Sequence, residues 1–540
     1  MRTLSLIILM LFLSTFCLAS SPNLIIVISL DQFPEEYLTR FRPWFHGGLA
    51  NLLDHGAMFV NANYDHAQCT TGPGHAVLLT GCYADMNGIV ANTWLDRTRG
   101  QAEYCVDDRR SAILGATGYG ASPRNLLQPS FGDMLRLHTS FVSKVISISN
   151  KDRAAILLGG RLANAAYWMI DSSFVSSTYY MPSLPKWVER FNASRAINRC
   201  FGGVWEQTLP DSAFNCLDRD NVPYETDQDS LGRAFPHRVT GRDRSRLTPS
   251  YYGAMVTSPF GAFVLTDFVE RAIVEEHLGK RGVTDLLCVS YSSTDYVGHA
   301  FGPHSHEVLE MASAIDRTLN DLFTFVDSTV GLGKCVIALS SDHGIAPIPE
   351  FVKSRYPGAD AGRVQTEALR ASSEAAMNAT FGVAPANDPW ILSISDHNVY
   401  LNRPRLSRAD IKLIRAAEVV KERLLSLPGV SNVWNLTSPT TMGYHPWDQR
   451  VLRSFYPERS GDLFYVLKPL YIEGEGDGTT HGDPYQYNTH VPLILMGPQF
   501  RGGQYTIDVS PADLAPTLSA ATGIEFPTGR EGCVLWQAIK

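Results

Sequence analysis

A threonine hydroxyl becomes an effective nucleophile near neutral pH only when a base or a metal takes its proton. In the stretch QCTTGPGHAVLLTG, Thr71 is followed by Gly72, Pro73 and Gly74 and then by an apolar run that reads as a helix. Proline near a first helical position, preceded by threonine, marks a helix start. The exposed N–H groups and partial positive charge of that terminus suit a phosphoryl group bound at Thr71. Simple capping of the helix by Thr71 would produce the same pattern without chemistry.

Several other residues have the chemistry to serve that threonine. Asp295 and His299 form D-x-x-x-H, a spacing that puts both on one face of a helical turn. Asp342 and His343 stand side by side ahead of Gly344, Asp31 ends the first apolar run, and His481 lies in GEGDGTTHGDP. Imidazole nitrogen and carboxylate oxygen are the ligands of catalytic zinc, and the set suffices for two ions. A zinc held by Asp31, Asp342 and His343 would lower the pKa of a bound Thr71 hydroxyl. His304, His306 and His490 compete for the last ligand position, His490 reading more as a strand-start residue. Asn92 in NGIVANTW offers an amide donor to a phosphoryl oxygen, while Lys151 and Arg153 in SNKDRAA offer a point charge and a fork.

The elements that must position these groups are short apolar runs: LIIVISLDQF, KVISISNKDR, DLLCVSYSSTD, CVIALSSDHG and VPLILMG. They read as buried parallel strands. Four of the five deliver Asp, Lys, Arg or His at or just past the carboxyl end, where open α/β sheets bind ligands. Apolar spacing predicts a helix over Ser407–Leu427, capped by Ser407 with Asp410 and ended by Pro428 and Gly429, inside an inserted α+β lobe. Residues 162–261 lack long periodic runs and read as a loop-rich insertion.

With 540 residues, 44% of them hydrophobic, the chain can bury a large core, and a net charge of −8 offers nothing to attract a nucleic acid polymer. Arg2, the apolar run Leu4–Leu18 and the small residues Ala19, Ser20 and Ser21 read as a cleaved signal peptide over residues 1–20. That run is too short for a stable membrane anchor, so a periplasmic or secreted protein is expected. The even set Cys69, Cys82, Cys105, Cys200, Cys216, Cys288, Cys335 and Cys533 then permits disulfides, with Cys200–Cys216 the preferred pair.

Taken in order, SLDQF, TTGPGHAVLLTG, GIVANTW, SNKDRAAILLGG, STDYVGH, SSDHG and THGDPY resemble the alkaline phosphatase superfamily. Within it they resemble the PafA-like threonine-type phosphate monoesterases, related to the type I phosphodiesterases and nucleotide pyrophosphatases. The resemblance implies a three-layer α/β/α core with a mostly parallel sheet, split into residues 21–161, 262–350 and 471–540, with an α+β lobe over 351–470. It implies two Zn2+, one on Asp295, His299 and His481, the other on Asp31, Thr71, Asp342 and His343. Thr71 would form a phosphothreonine, while Gly72 N–H, Asn92, Lys151 and Arg153 would bind the phosphoryl oxygens of small monoesters. The Lys151/Arg153 pair favours an alkaline phosphatase over a phosphodiesterase or nucleotide pyrophosphatase, the alternative reading. A sulfatase would need arginine where His75 stands. A monomer is the expected state, and Gln32 in SLDQF departs from the glycine of many relatives.

Overall fold

The computed structural model describes residues 21–438 and 445–540; the expected signal peptide lies outside them. At its centre five strands run parallel. They are β1 (Leu24–Leu30), β2 (Val145–Ser149), β3 (Ala165–Ile170), β4 (Asp285–Tyr291) and β5 (Cys335–Ser340), in the spatial order β3-β2-β4-β1-β5. Six further described strands extend this sheet to eleven.

Apolar residues, mostly β-branched, run unbroken from Leu24 to Ile28 in β1 because both of its faces are covered. Leu24, Ile26, Ile28 and Leu30 enter one core, with helices Pro259–Glu275 and His306–Thr329. Ile25 and Val27 enter the other, against Leu78, Leu158, Leu514 and Leu518 from helices of the opposite layer. Each such side chain, fully buried, contributes roughly 1.5–3 kcal/mol. The result is the three-layer α/β/α core.

Register then decides where chemistry can occur. Ser29 lies opposite Ser290 of β4 and Ser340 of β5, and Ser290 lies opposite Ser149 of β2. The four strands therefore end level, and the residues that follow them share one edge. Helices α1 (Thr71–Thr80), α2 (Asp152–Gly159) and α3 (Ser293–Phe301) begin at that edge.

Four expectations need correction. The run from Val491 supplies strand Leu493–Met496, which pairs antiparallel with β5; an apolar pattern carries no strand direction. Strands β3 and Ser173–Ser177 belong to the central sheet although the sequence places them in the loop-rich insertion. The helix expected over Ser407–Leu427 is two helices, Arg403–Arg408 and Leu413–Leu425, separated where Asp410 turns left-handed at φ 53°. The preferred Cys200–Cys216 disulfide is absent: Cys200 packs against the main core, Cys216 faces solvent, and all eight cysteines are free thiols.

The lobe is an antiparallel sheet of four strands with its own core. Its first two strands, β6 (Ile391–Ser395) and β7 (Asn398–Leu401), form a hairpin whose loop is Asp396 and His397. Strand Tyr471–Glu473 pairs with Gly362–Val364, so the lobe reaches past residue 470.

Candidate active site

Beyond the level strand ends, six side chains gather into two trios. Asp31, Asp342 and His343 form one, and Asp295, His299 and His481 the other; within each trio the ligand atoms lie within 4.8 Å of one another. The His343 and His481 rings stack at 3.6 Å, so the trios adjoin.

The three histidines share one arrangement. Nδ1 of His299 is 2.8 Å from Thr479 O, Nδ1 of His343 is 2.9 Å from Gly344 O, and Nδ1 of His481 is 2.8 Å from Cys69 O. Each Nδ1 therefore carries the proton and donates it to a carbonyl, leaving Nε2 as a bare lone pair. Those lone pairs point at carboxylates: His299 Nε2 is 3.2 Å from Asp295 Oδ1, and His343 Nε2 is 3.3 Å from Asp342 Oδ2. Facing acceptors with no proton between them repel unless a cation joins them. Consistent with that, Asp31 Oδ1 and His343 Nε2 are buried without a hydrogen-bond partner among the described residues. The donor set fits divalent metal ions of the zinc type.

Charge within the site follows from burial. Burial, then Asp342, raises the Asp31 carboxyl to about 7, against the pull of Lys151. Burial would raise Asp295 as well, but Lys151 and His299 outweigh it and hold that carboxyl well below its usual range. Burial lowers both His481 and His343, so both are neutral as ligands must be.

Thr71 is the first residue of α1, and the helix is entered from Thr70, which makes no side-chain cap. The Thr71 hydroxyl is likewise free of capping and lies 3.4 Å from Arg153 Nη2. Arg153 Nη1 lies 3.1 Å from Tyr104 Oη, whose hydroxyl donates to Asp152 Oδ1 at 2.6 Å. Gly72 was expected to offer its N–H to a ligand; instead it donates to Asn92 Oδ1 at 2.7 Å. That bond turns the Asn92 amide so that its NH2 is the group left to donate.

Lys151 stands differently from expectation. Its ammonium lies 2.9 Å from Asp31 Oδ2 and 2.5 Å from Asp295 Oδ2, one carboxylate from each trio. A buried ammonium needs such countercharges, and with three donors it bridges both trios.

Two positioning residues carry no obvious signal in the sequence. His75 is fully buried, with Nδ1 2.9 Å from Thr71 O and 3.0 Å from Asp342 Oδ2, and Nε2 2.8 Å from Ser290 Oγ. Its spacing of four from Thr71 is the one trace that could have been read. Gln32 adopts φ 61°, where glycine is favoured, yet its Nε2 donates to Asp295 Oδ1 at 2.8 Å and its N–H to Asp342 Oδ1 at 3.0 Å. Gln32 thus ties the two trios together. His304, His306 and His490 are not in either trio; His490 Nε2 is bonded to Val60 O, at 2.9 Å.

The site opens into a cavity of about 370 Å3, with Thr71, Asn92, Arg153, His299 and His481 on its walls. No helix among the described residues is long and apolar enough to cross a membrane.

Comparison with known proteins places this geometry in context. Residues 25–480 match the family model for type I phosphodiesterase / nucleotide pyrophosphatase. The chain is 33% identical to alkaline phosphatase PhoV of Synechococcus elongatus over 531 residues, covering 96% of this chain and 93% of that protein. It is 31% identical to alkaline phosphatase PafA of Elizabethkingia meningoseptica, covering 96% and 94%. The crystal structure of wild-type PafA superposes with a TM-score of 0.90, covering 96% of this chain and 99% of that one.

Proposed function

The chain belongs to the type I phosphodiesterase / nucleotide pyrophosphatase family, and we propose that within it this protein is an alkaline phosphatase that hydrolyses small phosphate monoesters through a phosphothreonine on Thr71. The relatives named alkaline phosphatase, similar over nearly their whole length, support that activity. The observation that carries the residue assignment is local. One turn, from Lys151 to Arg153, sends an ammonium to Asp31 and Asp295 and a guanidinium to the Thr71 hydroxyl.

Asp31, Asp342 and His343, with Thr71, would hold one zinc ion, and Asp295, His299 and His481 a second. When bound, such ions supply Lewis-acid stabilisation of oxyanions and acidify a coordinated hydroxyl or water. The chain's own residues do the rest. The Thr71 N–H, the Asn92 NH2 and the Arg153 fork surround the place where three non-bridging oxygens would sit. Lys151 adds the fixed positive charge that a dianionic monoester calls for. Thr71 Oγ attacks phosphorus in line with the ester oxygen, the P–O bond to the leaving group breaks, and a phosphothreonine remains. Water then attacks phosphorus, phosphate departs, and the Thr71 hydroxyl is restored. Catalysis of this kind is positioning and electrostatics.

Thr71→Ala tests the assignment. Phosphate release from an aryl phosphate should fall by at least about a thousandfold, with thermal stability retained. Undiminished turnover would remove Thr71 as nucleophile. An export leader, two zinc ions per chain and a monomeric state complete the reading.

A further inference from the structure

The catalytic cavity has a wall that phosphoryl transfer, as described, does not use. Thr71, Asn92 and Arg153 line one part of it, whereas Asp396, His397 and Glu473, contributed by the lobe and the strand that extends it, line another. Asp396 and His397 are the two-residue loop of the β6–β7 hairpin, at φ 46° and 62°. Both positions are left-handed, where glycine and asparagine are the usual occupants.

The wall is also rigid. Strand β6 packs against strand Thr93–Asp96, next to Asn92, which pins the hairpin to the catalytic core. His397 Nδ1 lies 3.1 Å from Tyr465 O, so that nitrogen donates, while Nε2 abuts Gly482, where a Cβ would come within 2.8 Å of it. Glu473 Oε1 accepts a hydrogen bond from the Tyr465 hydroxyl.

Its charge is net acidic: the carboxylates raise the His397 imidazole against the effect of burial, but they outnumber it. Glu473 and the buried Asp483 each lie 3.8 Å from His397 Nδ1, so three carboxylates surround one imidazole. Burial, then Glu473, raises the Asp396 carboxyl to about 6, which leaves it ionised throughout the alkaline range. Arg153 is the single Lys or Arg among the described residues lining the cavity, and it is directed at Thr71. A phosphoryl group seated over Thr71 occupies that cation, and the part of the ester left over meets the acidic wall.

We infer that Asp396, His397 and Glu473 form the leaving-group subsite, and that it selects phosphate monoesters of ammonium-bearing alcohols over those of anionic hydroxy acids. The inference rests on the monoesterase reading of the same cavity.

Three esters of similar size separate charge from shape: phosphoethanolamine, propyl phosphate and phosphoglycolate. Because their alcohols differ in intrinsic leaving ability, the informative quantity is how the ratio of kcat/KM for the first over the last responds to perturbation. In the full-length zinc-loaded protein, Asp396→Asn and Glu473→Gln should each lower that ratio by about fivefold to tenfold. In the unaltered protein, raising salt from about 0.02 to about 0.5 M should lower it several-fold as the wall is screened. A ratio unchanged in both folded variants overturns the inference. If the variants do not fold, a salt-insensitive ratio in the unaltered protein overturns it instead. Turnover of an aryl diester with none of the three monoesters would overturn the monoesterase reading itself, and the subsite with it; turnover of all three with an unresponsive ratio would overturn the subsite alone.

Discussion

Lys151→Ala is the substitution with the most to say about substrate class. The ammonium is buried, with a side chain 3% exposed, and lies 2.9 and 2.5 Å from the carboxylates of Asp31 and Asp295. A phosphate monoester arrives as a dianion, a diester as a monoanion, so the two differ by one charge at nearly the same place. With the ammonium about 5 Å from that charge and an effective dielectric near 20, the difference is about 3 kcal/mol, a factor on the order of 100. The expected outcome is a loss of kcat/KM for an aryl monoester that exceeds the loss for a bis-aryl diester by on the order of 100-fold. Both substrates should be assayed on one preparation with bound metal measured, because removing Lys151 also leaves two ligand carboxylates without their countercharge. Equal losses on the two substrates at equal metal content would refute the reasoning, as would a larger loss on the diester.

Tyr104 should matter through Arg153 alone. Tyr104→Phe removes the hydroxyl 3.1 Å from Arg153 Nη1, and about 1 kcal/mol of lost positioning should lower monoester kcat/KM roughly fivefold. Arg153→Ala should erase that effect in the double variant; additive losses would refute the link. Glu225 predicts a pH effect on stability. Burial, then Glu307, raises its carboxyl from the ordinary 4.5 to about 9, so the folded chain holds a proton that the unfolded chain releases. Stability contributed by that proton is present below about 4.5 and is lost as pH rises towards 9. Glu225→Gln should therefore leave Tm near that of the parent at pH 5 and raise it at pH 9. A parallel pH profile for parent and variant would be inconsistent with the raised carboxyl.

The parts of the site legible in the sequence were those that strand ends deliver. Asp31, Lys151 and Asp342 follow runs so uniformly apolar that they had to be buried strands, and a level register makes the residues after them neighbours. His481 follows no such run: the sequence offers it as a candidate ligand in a Gly-rich stretch, and only the resemblance to known phosphatases assigns it a partner set. His75 and Tyr104 were missed because a buried histidine and an aromatic in a hairpin look like packing until their partners are seen. Gln32 was passed over as a harmless departure, since neither its φ of 61° nor its bond to Asp295 can be inferred from residue type. The direction of Leu493–Met496 and the membership of β3 were hidden for a related reason: pairing between distant segments is set by the whole sheet and not by local pattern.

The position of β1 has a consequence for how the protein is made. Its two neighbours, β4 and β5, come from much later in the chain, and the bond from Gln32 to Asp342 spans 310 residues. At about 5–20 residues per second, a ribosome needs roughly 15 to 60 seconds after finishing the first strand before the last of its neighbours exists. Until β4 is made, the first strand has two open edges and no native partner, the condition in which strands pair with the wrong chain. Completion of the central sheet around β1 therefore waits for translation to pass its midpoint, and contacts of such long range close slowly even then. Recovery of active protein from cells should depend on what shields the nascent first strand more than on the stability of the finished fold.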